Sequence, residues 1–167
     1  MQVFEEKDLL WQNSATYKQL AALVQDLIGT NIVKKVLCFG LGDFCRSAPE
    51  WLKEQHGSWD ETSDIENVTG CIIQHSMAIT IAQLCRGNET VPLLAQDPDY
   101  TELAEKILTN NGFKIVGPHG AGGFAEIDEE SIVISAFAAA PVKQIIADLA
   151  RPMLIISTGF NVFNSNE

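Results

Sequence analysis

The chain has 167 residues, 46% hydrophobic and 20% charged, which suits one globular domain able to bury a sizeable core without staples. Its 22 acidic residues outweigh 11 basic ones, for a formal net charge of −11. Only Lys34 and Lys35 are adjacent cations, so the clustered charge that displaces counterions from phosphates is missing, and DNA and RNA are not expected partners. No apolar run reaches the length of a membrane span.

Taken in chain order, residues 4–10 read as a short helix. Thr16 and Gln19 form a capping-box pattern, and Leu20, Leu23, Val24, Leu27 and Ile28 follow at helical spacing up to Gly29. Val36–Phe39 is a buried strand that stops at the turn Gly40-Leu41-Gly42-Asp43. Ser47 and Glu50 suggest a second capping box, opening a helix over 49–56. The polar stretch 56–67 reads as a surface loop. Cys71–Cys85 is apolar almost all round and too long for a strand, which predicts a buried helix with His75 hydrogen-bonded inside it or at a pocket wall. Strands are expected at 91–95, 113–116, 132–136 and 153–157, with helices at 100–110 and from Pro141 onward. The final run, 159–167, reads as a tail or a truncated beginning.

Five apolar strands alternating with helices predict a Rossmann-like three-layer α/β domain with a mostly parallel five-stranded sheet in the order 3-2-1-4-5. Residues 1–167 are expected to form one domain: an N-terminal helical segment, 1–30, packed on a core at 31–160, then a short tail.

Ligands of such sheets lie outside the carboxyl ends of the strands, where the strand order reverses. The candidate ligand-binding residues there are Gly40, Gly42, Asp43 and Asp97. The two glycines suit either close approach of a ligand or a tight, well-packed turn. The full G-x-G-x-x-G pattern is absent, and no helix N-terminus follows at once to hold a pyrophosphate. Asp97, past the second strand, suits either a pair of ribose hydroxyls or a helix cap, and Asp99 reads as the cap of the helix near Tyr100. The loop Gly117–Gly123 lacks the Gly-Lys-Ser/Thr ending of a P-loop and reads as a flexible connector, with His119 as its one acid–base candidate. His56 reads as a surface residue. Cys38, Cys71 and Cys85 read as small buried hydrophobes and Cys45 as the one thiol placed to react; the cysteines form no C-x-x-C and no zinc spacing, so no metal site is expected. Asn67 and Asn88 head glycosylation sequons, yet the acidic, amphipathic start is no signal peptide, and the expected location is the reducing cytoplasm or nucleus.

The segments FGLGD (39–43), QHSMAITIA (74–82), AQDPDYTELAEKILTNNGFKIV (95–116) and SIVISAF…APVKQIIADLARPMLII (131–156) resemble the "sensitivity to red light reduced" domain family over roughly residues 36–160, closest to its fungal members. The resemblance implies this fold, an intracellular eukaryotic setting, and motif positions at Gly40, Gly42, Gln74, Asp97 and Pro98. It implies a link to light and circadian signalling in plants and to microtubule-drug sensitivity in yeast, and no reaction. Many members carry a Pro-His-Cys-Pro-like segment after the fourth strand; Phe137-Ala138-Ala139-Ala140-Pro141 stands here, so an acid, base or metal role for that segment is not expected.

Three functions remain open on the residues. The first is a regulatory domain with a pocket for a nucleotide-like small molecule. The second is an enzyme using S-adenosylmethionine or another nucleotide-like cofactor, although methyltransferase folds usually add two strands to these five. The third is a module that binds a protein partner.

Overall fold

The computed structural model describes residues 2–85, 90–136, 138 and 141–157. The run 159–167 and three of the residues in Phe137–Pro141 lie outside the described residues. Five strands, β1 (Lys35–Phe39), β2 (Leu93–Gln96), β3 (Phe113–Ile115), β4 (Ser131–Ser135) and β5 (Leu154–Ser157), form one sheet in the order β3-β2-β1-β4-β5. Every neighbouring pair is parallel. The α/β class, the order and the five strands agree with the expectation. β2 and β4 are buried at every position and β1 at all but its first, because helices cover both faces of the sheet; that is why they read as unbroken apolar runs rather than alternating ones.

The helices are α1 (Gln2–Gln12), α2 (Ala15–Ile28), α3 (Glu50–His56), α4 (Glu61–Leu84), α5 (Glu102–Asn110) and α6 (Val142–Leu149), with a 3-10 turn at Phe124–Glu126. Val36, Cys38, Ile132 and Ile134 face α4 and α5, packing with Ile72, Ile81, Ile107 and Leu108. On the other face Leu37, Phe39 and Val133 pack with Ile127, Val142 and Ile146. Each such aliphatic side chain contributes about 1.5–3 kcal/mol through removal from water.

α4 explains its own composition. It contacts β1 and β2 on one side and α1 and α2 on the other, so its second half has no wide polar face. Of residues 71–85 only Gln83 is exposed. The outer layer is tied on by Trp11, whose indole N–H donates to Thr80 Oγ1 at 2.9 Å inside the core, and by the Phe4–Phe44 ring contact at 5.3 Å. No helix among the described residues is long and apolar enough to cross a membrane.

Four expectations at helix starts need correction. Ser14, not Thr16, caps α2, accepting from Tyr17 N–H at 3.0 Å. Ser47 forms no capping box; α3 starts after Pro49 without a side-chain cap. The box sits instead at Asp60 and Ser63, and it starts α4 at Glu61, inside the stretch that reads as a loop. A helix end projecting into water carries no apolar periodicity, so only its cap betrays it. Thr101, not Asp99, caps α5 through Ala104 N–H.

Candidate functional site

β1 and β2 lie side by side and parallel, so the segments leaving their carboxyl ends meet at one edge of the sheet. Gly40 and Gly42 both turn there with positive φ, +65° and +79°, which only glycine adopts cheaply. The side of Gly40 where a Cβ would sit is occupied by Ala138 backbone atoms, 2.4 Å from that position; for Gly42 the occupant is Cys71 Sγ, at 2.5 Å. Close approach does require these glycines, and on those sides the neighbour is the protein itself.

Two buried carboxylates then stitch the loops together. Asp97 accepts from Gly42 N–H at 2.8 Å and from Asp99 N–H at 2.9 Å. Asp43 accepts from Cys45 N–H and, across the cleft floor, from Thr101 N–H. Each loop thus supplies an acid to the other loop's backbone. Both acids are only 5% exposed. Burial pushes the Asp97 carboxyl up from the usual carboxylate range, against the pull of its two N–H donors, and the charges of Asp99 and Asp43 push the same way. An ionised carboxylate has about four lone-pair sites, so both oxygens of Asp97 keep acceptor capacity beyond these bonds. Asp99 turns outward and forms an ion pair with Arg46.

Asp97→Ala leaves the Gly42 and Asp99 donors without their acceptor. A loss of about 2 kcal/mol is expected in urea unfolding, with a smaller loss for Asp97→Asn, which keeps one carbonyl oxygen. An alanine variant as stable as the parent would mean that the stitch contributes nothing.

The glycine-rich stretch after β3 is held in place rather than being a free connector. Gln96 donates from Nε2 to Gly120 O at 3.1 Å and accepts from Gly123 N–H at 2.8 Å, while Phe124 stacks on Phe39 at 4.5 Å with rings 10° apart. This places His119 on the wall of a cleft of about 1620 Å³. The cleft runs over Gly40–Asp43 and beside Asp97 to Ala138, so it spans the β1–β4 switch point, and α3 with the start of α4 forms its far wall. All four sequence-predicted site residues line it. Gln74, marked by resemblance alone, lines it too, and its Oε1 is buried with no hydrogen-bond partner among the described residues. A second hollow of about 630 Å³ lies between α5 and β3, is shallower, and shares no residue with the cleft.

Sequence reasoning missed Gln96, Trp51 and Trp59. Trp51 sits on α3, a short helix that buries no residue, and is 46% exposed. Trp59 is fixed by its indole N–H, which donates to Asp64 Oδ1 at 2.9 Å, and by the exposed His56 ring edge-on at 5.4 Å.

His75 lies behind the site, fully buried. Cys71 O can only accept, so the contact at 2.7 Å puts the proton on Nδ1, and Nε2 then accepts from the Tyr100 hydroxyl at 2.8 Å. Burial holds its pKa down at about 4, so it is neutral near pH 7. The Cys45 thiol is pushed up by burial and by Asp43, the opposite of what a nucleophilic thiolate needs. Cys38 and Cys71 are buried as expected; Cys85 is half-buried.

The SRR1 domain family model matches residues 18–167. The chain belongs to the SRR1 domain family. The match takes in α2 from Lys18 onward, the whole sheet and every residue of the stitched loops, and only α1 lies wholly ahead of it in this SRR1 domain. No curated protein and no solved structure matches the chain.

Proposed function

We propose that this chain is a regulatory SRR1 domain of the fungal type, working in the cytoplasm or nucleus, that binds a small nucleotide-like molecule, one built on a nucleoside, over Gly40–Asp43 and beside Asp97. One observation carries this reading: a cleft of about 1620 Å³ coincides with the carboxyl-end switch point of a parallel sheet, where such folds hold ligands. His75 is neutral and enclosed behind the site and the Cys45 thiol is raised, which supports binding over nucleophilic chemistry and leaves His119 as the acid–base candidate on the cleft wall. Lys34 and Lys35 are engaged by Glu130 and by Asp128, which supports a reading without nucleic acid or membrane lipid.

The test is a melting-temperature screen with S-adenosylmethionine, NAD, FAD and ATP. A ligand at a hundred times its Kd adds about 2.7 kcal/mol to native stability. At least one nucleoside compound is expected to raise the melting point, and Asp97→Ala is expected to lose most of that rise. A rise that survives intact in Asp97→Ala would place the ligand elsewhere. No rise with any of them would favour the interaction-module reading, which the exposed Leu9, Leu10, Leu23 and Leu27 of α1 and α2 support.

A further inference from the structure

The charge of the cleft narrows the ligand class. Among the described residues that line it are five carboxylates, those of Asp43, Glu54, Glu66, Asp97 and Asp99, against one guanidinium and no lysine. The guanidinium, Arg46, is already paired with Asp99. Phosphate recognition on such sheets uses free backbone N–H groups and a helix N-terminus. Here the Gly42 N–H is taken by Asp97 and no helix follows β1 at once; the uncapped starts of α3 and α6 border the cleft at Pro49 and Val142, where the surrounding carboxylates oppose an anion. The charge of the chain as a whole, −11, also repels anions and draws cations in.

The remaining features are acceptors and aromatic faces. Trp51 lines the cleft and is 46% exposed, and Trp59, also on its wall, is tied to Asp64 through its indole N–H. Gln74 Oε1 is an acceptor that no described group satisfies, and a buried acceptor left unpaired is costly. Aromatic faces beside carboxylates attract organic cations, and unpaired acceptors call for N–H donors.

Resting on the cleft as the ligand site, we infer that its ligand is a small organic cation with N–H donors and no phosphate, held between the tryptophan wall and the carboxylates. Within the nucleoside reading this singles out an S-adenosylmethionine-like compound, whose sulfonium and ammonium outweigh its single carboxylate, over ATP, NAD or FAD.

Titration calorimetry on the full chain tests it with four probes: S-adenosylmethionine, its uncharged-sulfur counterpart S-adenosylhomocysteine, spermidine and ATP. S-adenosylmethionine is expected to bind about five-fold tighter than S-adenosylhomocysteine, with ATP undetectable, and the preference should shrink at high salt as screening shortens. Glu54→Gln with Glu66→Gln removes two exposed charges without touching the loop stitches and should reduce the preference. Trp51→Ala should weaken S-adenosylmethionine about three-fold. If S-adenosylhomocysteine binds as tightly as S-adenosylmethionine, or ATP binds tightest, the cation inference fails while the nucleoside reading stands. If spermidine binds and neither adenosyl compound does, the cation inference stands and the nucleoside reading fails. Absence of binding by all four overturns both.

Discussion

Gly40→Ala is expected to destabilise the chain by about 2–5 kcal/mol, the sum of the left-handed backbone cost for a residue with a Cβ and the cost of overpacking. The added methyl would sit 2.4 Å from the Ala138 Cα and N, backbone atoms with no rotamer to give. Either the chain after β4 shifts outward or the end of β1 does, and both border the cleft. Gly57→Ala is the control. Gly57 also turns with positive φ, +69°, but nothing lies within 4 Å of its missing Cβ, so only the backbone cost of about 1–2 kcal/mol applies. Urea unfolding of both variants separates conformational strain from close contact. Equal losses in the two would show that the Ala138 contact relaxes freely and that Gly40 is only a turn residue.

The second large effect is in pH. The unfolded chain protonates His75 near its ordinary value of 6.5, while in the fold burial holds it at about 4. Between these values the unfolded state binds a proton that the folded state refuses, so stability is fully present above about pH 6.5 and declines as pH falls toward 4. For this fully buried group the integrated loss is about 3 kcal/mol. Asp97 works in the opposite sense, since its carboxyl is raised: its contribution falls as pH rises from 3.8 to its folded value. Comparing the parent with His75→Gln between pH 7 and 4 isolates the histidine. The variant should start less stable, having lost the link between Cys71 and Tyr100, and should show a flatter decline. A parent stability that stays level from pH 6.5 to 4.5 would mean that His75 takes up its proton inside the fold.

The two effects describe one construction. His75 joins α4 to the loop after β2 through Tyr100, Asp43 joins the loop after β1 to the start of α5, and Asp97 joins the loop after β2 back to Gly42. The loops at the cleft floor are therefore tied to one another, while Gln74 Oε1 stays unpaired among the described residues, and the wall of Trp51 and Trp59 is carried by α3 and the segment leading to α4. Preorganised acceptors beside fixed aromatic faces lose little conformational entropy when a ligand binds.

Much of this could be read from residue order. The strands of a sheet covered on both faces read as apolar runs, and Val36–Phe39 and Ile132–Ile134 show it; parallel strands then need helical crossovers, which the periodic runs around Ile107 and Ile146 supply. Once order and direction are set, the carboxyl ends of β1 and β2 must share an edge, which is why Gly40, Gly42, Asp43 and Asp97 come together as expected. What those residues do there was decided by tertiary structure. The distant partners of Asp97 and Asp43 lie 55 and 58 residues away, the occupants of the glycine sites are Ala138 and Cys71, and the acidic, aromatic character of the cleft comes from side chains scattered along the chain. Periodicity and capping are local and leave their mark on neighbouring residues, whereas the pairing of a carboxylate with a distant N–H leaves none, because any loop of suitable length can bring an acceptor to a donor.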